Sequence, residues 1–350
     1  MKTLPTTERC ERMHLRTRSG ARVFRLPLEA FPGFWACAYL VVTDDLRLLI
    51  DTGSGVESAN EGLLTGFRWV GEVLGQPFGP ENLTHILITH GHIDHFGGLG
   101  FLKTRTDAKV GVHELARRTL TNYEERLAVA SSRLERFLAQ AGVRAERRQE
   151  LLAMYTLPKM FFHSVPVDFT YEAAGMRLGP LEMLYTPGHC PGHVVMRLDE
   201  VLFAGDHILA EISPHQSPES ITLSTGLGHY LASLRLVEGW LEGVRLALGG
   251  HKRPVEDIPA RIAAIRETHR KRLNDLLGFL ETPHTVAEAS RFMFGKVGGY
   301  NVLLAISEAG AHVEYLYERG FLGIDNLQEV EADPEAPVRY RRLVKTGVSL

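Results

Sequence analysis

Cysteine is scarce in this chain. Three occur, at Cys10, Cys37 and Cys190, and no two have the short spacing of a metal knuckle. That argues against a disulfide framework and against a thiolate zinc site. Long apolar runs are also missing: none approaches the roughly 18 residues of a membrane span, and Met1 to Gly20 is polar without a stretch of signal-peptide length. The expected location is the cytoplasm, with no membrane partner. An excess of charge is lacking as well, since 39 Lys and Arg face 42 Asp and Glu for a net charge of -3. Nothing global therefore pulls the chain toward nucleic acid or an anionic surface. What remains, 350 residues with 44% hydrophobic content, suffices for one large globular domain and a smaller one.

The first half alternates. Ala36 to Thr43 and Leu46 to Ile50 flank an Asp44-Asp45 turn and read as a hairpin ending in Asp51-Thr52-Gly53. Leu83 to Ile88 is a short apolar strand, Leu99 to Lys103 suits a helix, and Lys109 to Val112 is a further strand. From about 114 to 160 the apolar residues Leu127, Leu134, Phe137 and Leu138 recur with helical rhythm, predicting an inserted helical segment. Strand signals return at Leu181 to Tyr185, Val194 to Leu198, Val201 to Ala204 and Val244 to Leu248. This is the pattern of an α/β fold with functional groups at strand ends. After Asp257 the strands stop. Ile258, Ile262, Ile265, His269, Leu273, Leu276 and Leu280 mark a long amphipathic helix. Thr285 with Glu288 forms a capping-box start for a second helix, and Val302 to Leu316 marks a third, closed by Gly320. With Phe321 to Ile324 as a short strand, residues 257–330 resemble a winged-helix module behind a catalytic domain of residues 1–256. Residues 331–350 read as a loosely ordered tail.

The sixteen histidines carry the chemistry because several are clustered. His90-Gly91-His92-Ile93-Asp94-His95 sets three imidazoles and a carboxylate within six residues, directly after a strand. Core packing has no use for that density of polar groups. Neutral imidazole and carboxylate are preferred ligands of divalent metals, and a tight loop can aim alternate side chains at two neighbouring ions. Three later strand ends offer the remaining donors, each beside glycine: His189 in Thr186-Pro187-Gly188-His189, Asp206 in Gly205-Asp206, and His251 in Gly249-Gly250-His251. A glycine there lets the backbone approach without a Cβ clash.

This ordered series of H-x-H-x-D-H, T-P-G-H, G-D and G-H resembles the metallo-β-lactamase superfamily, over roughly Leu26 to Lys252. The resemblance implies an αββα sandwich with two metal ions at one edge. It implies His90, His92 and His189 as ligands of the first ion, Asp94, His95 and His251 of the second, and Asp206 as the bridge. Asp51 resembles the acceptor that orients a ligand histidine. Zinc is the expected metal, with iron or manganese as alternatives, because an all-His/Asp set suits each. The implied reaction is hydrolysis by a water activated between the ions, with Asp94 also carrying a proton.

The surroundings of the motifs point to a branch similar to glyoxalase-II-like thioesterases and lactamase-like RNA endonucleases. The first expectation for the substrate is therefore a thioester, ester or lactone of a small metabolite. A single-strand RNA endonuclease is the second, and a persulfide dioxygenase or a non-catalytic metal-binding regulator the third. His207, His215, His229 and Tyr230 follow Asp206, and Tyr230 is the residue among them expected to act on substrate. Cys190, next to ligand His189, reads as a packing residue. The insertion holds nine basic against six acidic residues and could cover the metals. Residues from Asp257 onward hold twelve against thirteen, no footprint for nucleic acid, so that module is expected to pack on the catalytic domain or on a second copy.

Overall fold

The computed structural model describes residues 10–350; residues 1–9, part of the polar N-terminal stretch, lie outside it. Seven strands form the first sheet, in sequence order: β1 (Met13–Arg16), β2 (Arg22–Phe31), β3 (Phe34–Val42), β4 (Arg47–Ile50), β5 (His85–Leu87), β6 (Lys109–Val112) and β7 (Phe169–Thr170). β1 to β4 pair antiparallel and β4 to β7 parallel. Between them run α1 (Glu57–Leu74), the short α2 (Ile93–Phe96) and α3 (Leu99–Lys103), then α4 (Glu114–Thr121), α5 (Tyr123–Gln140) and α6 (Ala145–Thr156), the last three making up the helical insertion.

The second sheet has the order β12-β11-β10-β9-β8, built from β8 (Arg177–Leu178), β9 (Leu181–Tyr185), β10 (Val194–Leu198), β11 (Val201–Gly205) and β12 (Leu246–Gly249). α7 (Leu227–Glu238) lies between β11 and β12, and α8 (Ile258–Phe279), α9 (Val286–Phe294) and α10 (Asn301–Glu318) follow.

Alternation along the strands produces the layers. In β3, Cys37, Tyr39 and Val41 face the second sheet, whereas Ala38 and Leu40 join the core under α1. In β11, Val201 and Phe203 meet the first sheet, while Leu202 and Ala204 join the core under α7 and α8. Two sheets packed face to face with helices on both outer faces form the αββα sandwich that the motif series implied.

Two elements, β2 and α1, are not anticipated from the sequence. Pro27 interrupts β2 and its register shifts between Glu29 and Phe31, whereas α1 contains Gly62, Gly66 and Gly71. These glycines are contact points rather than breaks. A Cβ on Gly66 would stand 3.0 Å from the Leu26 side chain and one on Gly62 3.1 Å from Leu28, so the helix lies close against β2 because those side chains are absent.

At the C-terminal end, Asp257 caps α8, and Thr285 and Glu288 form the capping box of α9. Ile262, Leu273 and Leu276 of α8 and Ala309 and Val313 of α10 share one core with Val195 and Leu202 of the second sheet. These helices thus complete the outer layer of the sandwich. β13 (Leu322–Ile324) is followed by α11 (Leu327–Ala332) and pairs antiparallel with β14 (Tyr340–Arg342). The expected loose tail is therefore corrected: its backbone is used by β14, and Asn274 binds both the amide and the carbonyl of the buried Val348. Among the described residues no helix is long and apolar enough to cross a membrane.

Candidate metal centre

All seven expected donors meet at one edge of the sandwich. His90 follows β5, and His92 caps the short α2 that carries Asp94 and His95. His189 lies between β9 and β10, Asp206 directly follows β11 and His251 follows β12, so each side chain sits just beyond a strand end. Nitrogens of His90, His92 and His189 lie within 4.8 Å of one another, as do the donor atoms of Asp94, His95 and His251. His92 Nδ1 is 3.1 Å from His90 Nε2 and 3.0 Å from His189 Nε2. Asp206 stands between the two sets: its Oδ2 is 3.6 Å from His189 Nε2 and 3.3 Å from His251 Nε2, and its Oδ1 is 3.6 Å from His95 Nε2.

The outward nitrogens of three of these imidazoles are each held. His95 Nδ1–H donates to Asp51 Oδ2 at 2.8 Å, His189 Nδ1–H to the His215 carbonyl at 2.9 Å, and His251 Nδ1–H to the Trp35 carbonyl at 2.7 Å. With Nδ1 committed to an acceptor, Nε2 is the nitrogen left to face the centre; against burial, Asp206 and Asp94 raise His95 and hold His251 at about 10, so without metal both rings carry a proton on Nε2 that a cation would displace. Asp51 adopts φ +61° and also accepts from the amide and hydroxyl of Thr89, each at 2.8 Å. This fixes the residue before His90 and the ring of His95 with one carboxylate.

His95 Nε2 and Asp206 Oδ1 are buried and lack a hydrogen-bond partner among the described residues. Leaving such atoms unpaired is costly. A divalent cation accounts for both, and the surrounding donors suit one. Burial holds His90 well below its ordinary range and His92 at about 3, so these imidazoles are neutral, the form that binds metal. Burial opposes ionisation of Asp206, but His251 and His95 outweigh it and keep the carboxylate charged. Gly250 makes the approach feasible, for a Cβ there would sit 2.5 Å from both Asp206 Oδ1 and His95 Cε1.

The residues expected on the substrate side are placed differently. Tyr230 is fully buried in the core between the second sheet and its helices, and its hydroxyl donates to the His207 carbonyl at 2.9 Å. Its expected catalytic role is corrected to packing, because the hydroxyl is already committed. His207 is fully buried, His229 pairs with Glu219 at 3.1 Å, and His215 acts through its backbone on His189. Cys190 packs, and burial pushes its thiol up to about 11.

Two contributors were missed. His193 is fully buried, accepts the Asp206 amide on Nε2 at 3.1 Å and contacts Thr186 through Nδ1 at 2.9 Å. The Gly192-His193 pair, closely following Gly188-His189, was its available signal. Phe34, the first residue of β3, sets its ring 4.8 Å from that of His251; no local pattern marks it.

Comparison with known proteins agrees with this geometry. The model of the metallo-β-lactamase superfamily matches residues 37–278. The chain belongs to that superfamily. A metallo-β-lactamase family protein from Thermus thermophilus superposes with a TM-score of 0.71 at 27% identity, covering 92% of this chain and 98% of that one. A β-lactamase domain protein from Burkholderia ambifaria shares the fold at TM-score 0.68 and 22% identity over 98% of this chain and 97% of that one. Among curated relatives, the lactamase-like protein nscB of Neosartorya fischeri is 24% identical over 274 residues, 77% of this chain and 64% of its own length. An N-acyl homoserine lactonase of Bacillus thuringiensis is 28% identical over 171 residues, 44% of this chain and 54% of its own. The match to nscB thus spans somewhat under two thirds of that relative. The superfamily fold supports a metallo-hydrolase that binds divalent metal.

Proposed function

We propose that this protein is a dinuclear metal-dependent hydrolase acting on a lactone, ester or thioester of a small molecule. The observation that carries the reading is Asp206, whose carboxylate lies within 3.6 Å of nitrogens from both ligand sets while one of its buried oxygens has no other partner. His90, His92 and His189 would hold one ion, Asp94, His95 and His251 the other, and Asp206 both. Zinc is the first choice, with iron or manganese as alternatives. A pair of such ions, when bound, supplies a water of near-neutral pKa and polarises the bond under attack.

The protein's own contributions follow from placement. Asp51, His215 and Trp35 hold the ligand rings in one tautomer, so no side chain must reorganise during turnover. Asp94 is the more accessible of the two carboxylates, 16% exposed against 10% for Asp206, and is the group placed to pass a proton to the leaving oxygen or sulfur. Phe34 packs its ring on that of His251.

The lactonase relative supports a cyclic ester within this class. The near-neutral charge does not favour RNA as substrate, and the complete second ligand set does not favour a mononuclear dioxygenase. The winged-helix-like reading of the C-terminal helices is retained as a structural role, supported by the core they share with the second sheet.

The test is one panel: metal-loaded protein against lactones, thioesters, phosphodiesters and single-stranded RNA, with Asp94→Ala as the blank. Ester-class turnover that disappears on chelation and returns with about two equivalents of zinc is the expected result. Phosphodiester cleavage alone, or a single equivalent of metal at saturation, overturns the reading.

A further inference from the structure

Behind the His251 loop lies a group that the metal chemistry leaves unused. Cys10, ahead of β1, and Cys37, on β3, are both buried and both free, and the Cys37 thiol donates to Cys10 Sγ at 2.7 Å. The Arg25 guanidinium donates to Cys37 Sγ through Nε at 3.3 Å and Nη2 at 3.1 Å, and Nη2 also reaches the Lys252 carbonyl. Cys10 Sγ approaches the same carbonyl at 3.8 Å. The Cys37 amide donates to Gly250, so the sulfur pair touches the segment that carries His251. A surface cavity of about 520 Å³ is lined by Cys10, Glu11, Arg12 and Pro27, so the first of the two cysteines borders it.

The geometry points to an oxidation site: Cys10 and Cys37 form a reversible disulfide with a small peroxide, fastening the segment ahead of β1 to the strand that supports the His251 loop. The two sulfurs have unequal parts. The hydrogen bond from Cys37, against the opposing effect of burial and with help from Arg25, lowers the Cys10 thiol to about 6, whereas burial first, and then Cys10, push Cys37 up. Cys10, which borders the cavity and has the lowered thiol, is the sulfur that gives up its proton and attacks, and Cys37 is the one that resolves. In the first step Cys10 sulfur attacks one oxygen of hydrogen peroxide, the O–O bond breaks, and hydroxide leaves with Cys10 as the sulfenic acid. In the second, Cys37 sulfur attacks Cys10 sulfur, the S–O bond breaks, and the Cys37 proton leaves with the hydroxyl as water. Two electrons pass from the sulfurs to peroxide, and a dithiol reverses the change. Cys190 takes no part, since it lies apart beside His189 with its thiol raised.

The experiment uses the reduced, metal-loaded full chain with a small excess of hydrogen peroxide at neutral pH. Free thiols counted after denaturation are expected to fall from three to one and to return to three with dithiothreitol. A non-reducing peptide map is expected to show the Cys10 and Cys37 peptides joined, about 2 Da lighter than their sum. In Cys10→Ser both remaining thiols are expected to survive the same treatment. Three thiols persisting in the wild type, a link that includes Cys190, or Cys10 accumulating as sulfinic acid without a link overturns the proposal. None of these readouts depends on which substrate the metal centre hydrolyses.

Discussion

Asp51 and His95 are 44 residues apart in sequence and joined at 2.8 Å in a buried hydrogen bond, carboxylate to Nδ1–H. The same carboxylate binds the Thr89 amide and hydroxyl, so both of its oxygens face donors. Asp51→Asn places an amide donor against one of them. The expected result is a folded protein whose metal affinity drops about 10- to 100-fold, read by competition with a chromophoric chelator. Unchanged affinity would mean that His95 does not need this acceptor.

Gly250 tests the crowding at the centre without altering any donor. Its backbone is ordinary, and only the missing side chain matters: a methyl there would meet Asp206 Oδ1 and His95 Cε1 at 2.5 Å. Gly250→Ala should therefore displace the carboxylate, and metal bound per chain after gel filtration should fall below that of the parent. Full retention of both ions would show that the loop yields more easily than its contacts imply.

Tyr230→Phe separates a packing residue from a catalytic one. The substitution removes the bond to the His207 carbonyl and nothing at the metals. Stability should fall by about 1 to 2 kcal/mol, the cost of a buried acceptor losing its donor, while kcat and KM stay within about twofold in the ester-class assay. A large fall in kcat with unchanged stability would restore a catalytic role to the hydroxyl.

The ligand set was legible because it is local. His90 to His95 occupy one loop, and His189, Asp206 and His251 each sit in a Gly-flanked strand end, where the need for close approach leaves a mark in sequence. Asp51 was legible for the same reason. The partners that act through backbone were not: the carbonyls of His215 and Trp35 hold ligand rings, and a carbonyl has no residue type. α1 has Leu63, Phe67, Val70 and Leu74 at helical spacing, but Gly62, Gly66 and Gly71 among them weaken the helical rhythm; in β2 Phe24, Leu26, Leu28 and Ala30 alternate with Arg25, Pro27 and Glu29, and the proline argues against a strand. Tyr230 was misplaced since nearness in sequence to Asp206 says nothing about direction. On α7 its ring turns into the helical core, while Gly188 packs so closely on its backbone that a Cβ would lie 2.4 Å from Tyr230 Cα.

A histidine pair in the outer helical layer should contribute to the acid sensitivity of the fold. His269 on α8 and His312 on α10 are fully buried with 3.0 Å between Nδ1 and Nε2. His312 Nδ1–H donates to the Glu308 carbonyl at 2.7 Å, so its Nε2 accepts from His269 and both rings are neutral. Burial lowers both, aided at His269 by His312 and Arg272; at His312 Glu308 opposes the shift and does not reverse it. Arg272 of α8 pairs with Glu308 at 2.9 Å, and the Gln216 amide also binds that carboxylate, so the nearby negative charge is already engaged. Because the folded-state values lie below the ordinary 6.5, the unfolded chain takes up protons that the folded one refuses. The stability from keeping both rings neutral is complete above pH 6.5 and is lost as pH falls, by up to about 1.4 kcal/mol per unit for each ring. Denaturant midpoints at pH 7.5, 6.5, 5.5 and 5.0 for the parent and His312→Gln measure this. The variant should be less stable at pH 7.5 and show a shallower decline, so the two curves approach each other toward pH 5. Parallel curves would mean that the acid sensitivity resides elsewhere.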